Sequence, residues 1–220
     1  MSKKIISFSL WGENPKYTIG AIRNVGLASI LYPGWVCRFY VGKSVPSEII
    51  TILKNFKNTE IVEMDGEGNW SGMFWRFYPA SEDDVDIIIS RDCDSRLSLR
   101  ERLAVKEWID SDKGFHIMRD HPQHGTQILG GMWGVKKGVL PQMKEEINNF
   151  VKGEFWQVDQ NFLTQIIYPK IKNNSIVHDE FFTYEEHKIS FPLERINKEF
   201  VGDVFDHDEN RHPEYWKLIN

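Results

Sequence analysis

Cysteine is scarce in this chain: Cys37 and Cys93 are the two among 220 residues, each within an apolar, strand-like stretch. That usage gives no disulfide framework and fits two buried free thiols in a reducing cytoplasm. Long hydrophobic runs are missing too. No stretch approaches the ~18 apolar residues of a membrane span. The apolar segment after Met1-Ser2-Lys3-Lys4 is too short for a signal h-region and is closed by Trp11-Gly12-Glu13-Asn14-Pro15. Nor is there an excess of positive charge: 27 Lys and Arg against 32 Asp and Glu give a formal net charge of −5. The basic residues are dispersed, so nucleic acid is not an expected partner. No linker, low-complexity block or internal repeat divides the chain, and one substantial core is expected from its length. Tryptophan, by contrast, is plentiful. The eight indoles are read either as core filler or as platforms for sugar rings.

Apolar runs alternate with helical periodicity. Strands are expected at residues 4–10, 35–41, 60–64, 86–90, 114–118, 128–135 (broken by glycine) and 175–177. Between them, helices are expected at 17–31, 47–56, 98–109, 141–150 and 157–168, with an aromatic helical segment at 73–78 before Pro79. This alternation argues for an α/β fold with a mostly parallel sheet and helices on both faces. Ligands of such sheets sit at the carboxyl ends of strands. The residues that follow Leu10, Met64, Ser90 and Val177 are therefore the candidates for a site.

Directly after the Ile87-Ile88-Ile89-Ser90 strand comes Arg91-Asp92-Cys93-Asp94-Ser95-Arg96. Two carboxylates held close repel unless something neutralises them. A hard divalent cation, Mg2+ or Mn2+, is a natural solution, and its open positions suit phosphate oxygens. Arg91 and Arg96 serve either a phosphate or simply the two acids as salt-bridge partners.

Here the chain resembles glycosyltransferases of the GT-A type, whose Asp-x-Asp motif follows a core strand of the nucleotide-binding half. Ser7-Phe8-Ser9-Leu10-Trp11 with Tyr17 looks like the family's first strand and donor-binding loop. Leu129-Gly130-Gly131-Met132-Trp133-Gly134 resembles its acceptor-side strand and turn. Val158-Asp159-Gln160-Asn161-Phe162-Leu163 is similar to the Asp-Gln segment of retaining members related to family GT8, and His178 falls where those enzymes carry a late metal-binding histidine. The stretch from Asp112 to Pro122 also looks like glycosyltransferase-like proteins. The GT8 pattern of Gly and Lys after that histidine is absent from residues 180–191.

The resemblance implies a single GT-A-like catalytic domain over residues 1–220, with a nucleotide-binding half at about 1–96, an acceptor half at about 97–180 and a C-terminal extension at 181–220. It implies transfer of a sugar from a nucleotide-sugar, UDP by analogy, to an acceptor hydroxyl with Mn2+ or Mg2+, with retention of configuration. Asp92, Asp94 and His178 would hold the metal. Ser9, Leu10, Trp11, Tyr17, Arg76, Arg91, Cys93 and Arg96 would meet the donor, and His121, Gly130, Gly131 and Trp133 the acceptor. Asp159 would act at the sugar, and Asp120 as a base if the course inverts.

Each residue has a plainer reading. His178 can end a strand bonded to backbone, and Asp159 can favour a helix start. Arg76 can stack among Trp75, Phe77 and Tyr78, and the glycine pair can mark a bulge. The ligand-rich stretch from Asp203 through Trp216 is read as a solvated tail or a closing flap. Two rival functions remain: a non-catalytic nucleotide- or carbohydrate-binding module, and a phosphohydrolase of the haloacid dehalogenase type. The latter places its Asp pair on the first strand.

Overall fold

The computed structural model describes residues 2–150, 153 and 155–219. Seven strands form one sheet: β1 Lys4–Leu10, β2 Val36–Val41, β3 Thr59–Glu63, β4 Ile87–Ser90, β5 Phe115–Arg119, β6 Trp133–Lys136 and β7 Ser175–Asp179. Their spatial order is β3-β2-β1-β4-β6-β5-β7. All neighbouring pairs are parallel except those of β6, which runs antiparallel to both β4 and β5. The central parallel strands β1 and β4 read as continuous, almost fully buried apolar runs because both faces are covered.

The helices are α1 Pro15–Leu31, α2 Ser47–Lys54, α3 Leu99–Asp110, α4 Met143–Asn149, α5 Val158–Phe162, α6 Tyr168–Ile171 and α7 Pro213–Trp216. One core lies under α1, α2 and α3, where Ile6, Phe8, Phe39, Ile89 and Trp108 meet. The other collects Ile5, Phe77, Phe115, Trp133 and Phe162 on the opposite face. In the first of these cores Phe8 and Phe39 stack on adjacent strands, ring centroids 4.8 Å apart. The expected α/β architecture with helices on both faces is what the chain adopts.

Local differences have local causes. α1 begins at Pro15 rather than 17, because Asn14 caps it by accepting from the Lys16 N–H at 3.0 Å and proline suits the first turn. The aromatic segment is a 3-10 helix, Trp70–Ser81, that runs through Pro79. The strand expected at 128–135 contracts to Trp133–Lys136, since residues 129–132 form a turn. The helix expected at 157–168 contains a π-helical turn, Leu163–Ile167, between α5 and α6. In α3, Leu99 is exposed, while Ala104, Val105 and Trp108 face the core.

Candidate functional site

The ends of β1 and β4 lie side by side, with Ser7 paired to Ser90. Beyond Ser90 the side chains alternate. Arg91 turns inward, its Nε donating to Glu101 Oε1 at 2.7 Å and its Nη1 to the carbonyls of Ser90 and Trp133. Asp92 and Asp94 turn outward into a cleft of about 650 Å3. Asp94 meets Lys16 Nζ at 2.8 Å. Asp92 is paired with Arg76 Nη1, and the other arm of that guanidinium donates to Asp159 Oδ2 at 2.8 Å. One buried arginine from the 3-10 helix thus ties the β4 loop to the start of α5.

Backbone contacts fix this arrangement. Ser9 Oγ accepts from the Arg76 N–H at 3.0 Å, and Ser90 Oγ donates to the Gly130 carbonyl at 2.7 Å. A Cβ at Gly131 would overlap the Asp92 carboxylate, and one at Gly130 would strike Asp159 and Arg76. The glycine pair is therefore required by close approach, which a bulge alone would not demand.

The electrostatics follow from burial. Burial raises the Asp94 carboxyl above the usual carboxylate range, Asp92 adds to this, and Lys16 opposes it. Burial raises Asp159 as well, against the pull of Arg76. For Arg76 burial works against the cation, but Asp92 and Asp159 outweigh it and its pKa is raised. Burial, reinforced by the two acids, pushes the Cys93 thiol up, so it stays protonated. Cys37 is likewise a buried free thiol, pushed by burial to about 12.

The structure brings together most of the residues expected at the site. Ser9, Leu10, Trp11 and Tyr17 line the cleft together with Arg76, Asp92, Cys93 and Asp94. Gly130, Gly131, His121 and Asp159 complete the lining.

Five expectations are corrected. Arg91 is buried against Glu101, because an unpaired guanidinium at that depth would be too costly. Arg96 donates to Glu209 and to the carbonyls of Cys93 and Ser95, bracing the loop from behind. Trp133 is fully buried and stacks on Phe115, 5.4 Å between centroids, so it offers no sugar platform. Asp120 is fully buried, with both oxygens taken by Arg100, Arg195 and the Val201 N–H. His178 is fully buried beside His116 (2.8 Å) and Glu107 (3.2 Å). It sits on β7, three strands from β4 in the sheet, or roughly 14 Å at the usual strand spacing. Among the described residues no group of three His, Cys, Asp or Glu side chains is placed to hold a metal.

Other residues join the cleft unannounced by any motif. Lys16 acts on it through Asp94 without lining it, and was legible in principle, because Asn14-Pro15 marks a helix start that puts it in the first turn. Trp70, Gln123, His124, Trp156 and Gln157 also line it. So do Phe200, Gly202, Val204 and Tyr215 from the C-terminal stretch. That stretch is docked on the Asp loop: the Phe205 N–H donates to the Asp94 carbonyl at 2.9 Å, and Val204 bridges to Ser95. It is neither a free tail nor separate from the site.

No protein-family model matches the chain, and no curated protein sequence does. Solved structures do match. A glycosyltransferase involved in glycosylation of the major capsid of PBCV-1 is 15% identical with a TM-score of 0.55, covering 81% of this chain and 82% of its own. A mannosyltransferase from Pyrobaculum calidifontis, in complex with GDP-Man and Mn2+, is 12% identical with a TM-score of 0.53, over 88% of this chain and 57% of its own. The 4-diphosphocytidyl-2C-methyl-D-erythritol synthase of Anaerococcus prevotii is 11% identical with a TM-score of 0.52, over 88% and 94%. Likenesses at this identity establish the fold, and the fold is GT-A. An Asp pair after the fourth strand of such a sheet has no counterpart in the dehalogenase arrangement, whose pair ends the first strand.

Proposed function

We propose that this chain is a metal-dependent glycosyltransferase that moves a sugar from a nucleoside diphosphate to an acceptor hydroxyl. The observation that carries the reading is the convergence of Asp92, Asp94, Arg76 and Asp159 against Gly130-Gly131 in one cleft at the carboxyl ends of β1 and β4. A cleft of about 650 Å3 is in the range that accommodates a nucleotide-sugar. The division into a donor half at about 1–96, an acceptor half at about 97–180 and a C-terminal extension at 181–220 belongs to the same reading.

Asp92 and Asp94 fit a hard cation, Mn2+ or Mg2+. Both are carboxylates open to the cleft, and each already faces a positive charge, Arg76 or Lys16. When bound, a divalent cation supplies charge compensation for the diphosphate leaving group. The capsid glycosyltransferase and the mannosyltransferase support sugar transfer, and the Mn2+ in the latter supports the cation. UDP remains the donor assigned by resemblance.

Within the cleft, Ser9 and Gly130 hold Arg76 and Asp159 in place through the contacts described above. Arg76 orients the Asp92 and Asp159 carboxylates simultaneously. Asp159 then faces the sugar, accepting from its hydroxyls and stabilising positive charge that develops at the anomeric carbon. The bond from that carbon to the diphosphate oxygen breaks, a bond to the acceptor oxygen forms, and the acceptor's proton departs to the diphosphate or solvent. Retention of configuration, like UDP, is assigned by resemblance. The two buried thiols suit a reducing compartment, the cytoplasm.

The test is a thermal-melt screen against UDP, GDP, CDP and dTDP, each with Mn2+ and with EDTA, followed by hydrolysis and transfer assays on the matching nucleotide-sugar. A ligand at ~100 times its dissociation constant adds roughly 2.7 kcal/mol, a rise of about 5–10 °C in a domain of this size. A shift for one nucleotide that EDTA abolishes, followed by sugar transfer, is the expected result. Affinity without turnover on any nucleotide-sugar identifies a binding module instead, and no metal-dependent shift overturns the reading.

A further inference from the structure

Just before α5 in the chain, two neighbouring exposed side chains of the cleft lining contribute little to the fold. Gln157 has φ 75° and ψ 9°, a left-handed conformation that glycine adopts freely and an L-residue adopts at a cost. Its carbonyl accepts from the Asn161 N–H of α5 at 3.0 Å, but its side chain makes no capping hydrogen bond and, exposed, lines the cleft. Trp156 beside it is 67% exposed and lines the same cleft. Residues held in costly backbone conformations concentrate where a ligand gives them a purpose.

Other parts of the cleft lining have a consistent chemistry. Gln123 and Thr126 contribute an amide and a hydroxyl. His121 and His124 contribute imidazoles whose burial lowers their pKa, that of His124 to about 3, so both are neutral near pH 7. Among the described residues that line the cleft, Arg76 is the single Lys or Arg, and it is engaged by Asp92 and Asp159. A phosphate or carboxylate brought to this lining would lose water without gaining a counter-charge. A neutral sugar ring would lay its C–H face on the indole and bond its hydroxyls to the amides.

We infer that Trp156 and Gln157 form a subsite for an uncharged sugar ring, so that the acceptor is a neutral saccharide. This rests on the transferase reading above.

The test combines saturation-transfer NMR and tryptophan fluorescence on the whole protein. The neutral probes are maltose, lactose, cellobiose and N,N′-diacetylchitobiose; the anionic probes are glucose 6-phosphate and glucuronate. At least one neutral disaccharide is expected to bind in the millimolar range, about tenfold more weakly in Trp156→Ala and clearly more weakly in Gln157→Gly. Gln157→Gly should melt at the same or a higher temperature, since glycine relieves the backbone. Preference for the anionic sugars, no binding of any neutral disaccharide, undiminished binding in both variants, or a lower melting temperature for Gln157→Gly would each overturn the subsite. The EDTA-sensitive nucleotide shift, measured on the same samples, reads the transferase proposal separately. Its loss alongside saccharide binding at Trp156 removes the transferase and leaves the subsite; its presence without saccharide binding does the reverse.

Discussion

A guanidinium taken out of water must meet an oxygen, and the arginines around the Asp loop meet different ones. Arg91 finds Glu101 at 2.7 Å with both side chains buried. Arg96 finds Glu209 at 2.8 Å, and Arg76 finds Asp92 and Asp159 in the cleft lining. Only the last pairing faces the cleft, so the three should respond differently to substitution. Arg91→Met leaves Glu101 as a buried unpaired acid and should cost about 3–5 kcal/mol in urea unfolding. The folded variant should keep its metal-dependent nucleotide shift, and loss of that shift would return Arg91 to the donor site. Asp92→Asn and Asp94→Asn should do the opposite. Each should abolish the EDTA-sensitive rise of about 5–10 °C while the protein stays folded. An undiminished rise in both would sink the metal assignment. Sequence alone offered Arg76, Arg91 and Arg96 together as donor contacts, because spacing along the chain does not report which side of a strand end a residue leaves from.

At the level of elements, the site depends on how closely α1 approaches the loop after β4. Gly20 of α1 leaves no room for a methyl group: a Cβ there would overlap the Cys93 carbonyl. Four residues on, Asn24 donates to the Ser95 carbonyl at 2.8 Å and accepts from the Leu97 N–H at 3.1 Å. Helix and loop therefore move as one unit. Gly20→Ala should cost about 1–3 kcal/mol by overpacking and should also reduce the metal-dependent shift, because the Cys93 carbonyl lies between the two acids. Lower stability with an unaltered shift would uncouple α1 from the site. The strands β1, β2 and β4 were readable from apolar runs alone. Residues 129–132 were not, since Leu129 and Met132 sustain an apolar pattern while the turn is imposed by close approach to Asp92 and Asp159.

Across the whole molecule, buried histidines set the response to acid. Burial lowers His116 well below its ordinary value, with His178 adding to the effect. Burial also lowers His178 and takes His124 to about 3. These groups stay neutral in the folded protein, whereas unfolded histidines take up protons near pH 6.5. Their contribution to stability is thus fully present above the unfolded pKa and is lost as pH falls toward the folded values, by up to about 1.4 kcal/mol per pH unit for each group. The Asp203 carboxyl, raised by burial to about 6 against the pull of Arg211, has the opposite sign: its contribution is complete below the unfolded carboxyl value and is lost as pH rises through about 6. Urea midpoints should fall between pH 7.5 and 6 and continue to fall below 6, less steeply than the histidines alone would impose because Asp203 takes up its proton in the fold. A midpoint that holds steady or rises from pH 7.5 to 6 would show that the histidines are charged in the fold.

The sequence by itself determined the class of fold and the address of the Asp pair. Hydrophobic periodicity and turn residues are local, and the burial of a central strand such as Ile87–Ser90 follows from them directly. The tertiary structure alone decided the membership of the site. Strand order put His178 three strands from the carboxylates it was expected to join. Ion pairing inside the core withdrew Asp120, Arg91 and Arg96, and packing claimed Trp133. Docking of residues 200–215 brought Phe200 and Tyr215 to the cleft. Each of these outcomes depends on which distant oxygen, ring or backbone lies nearby after folding, and residue spacing along the chain does not contain that distance.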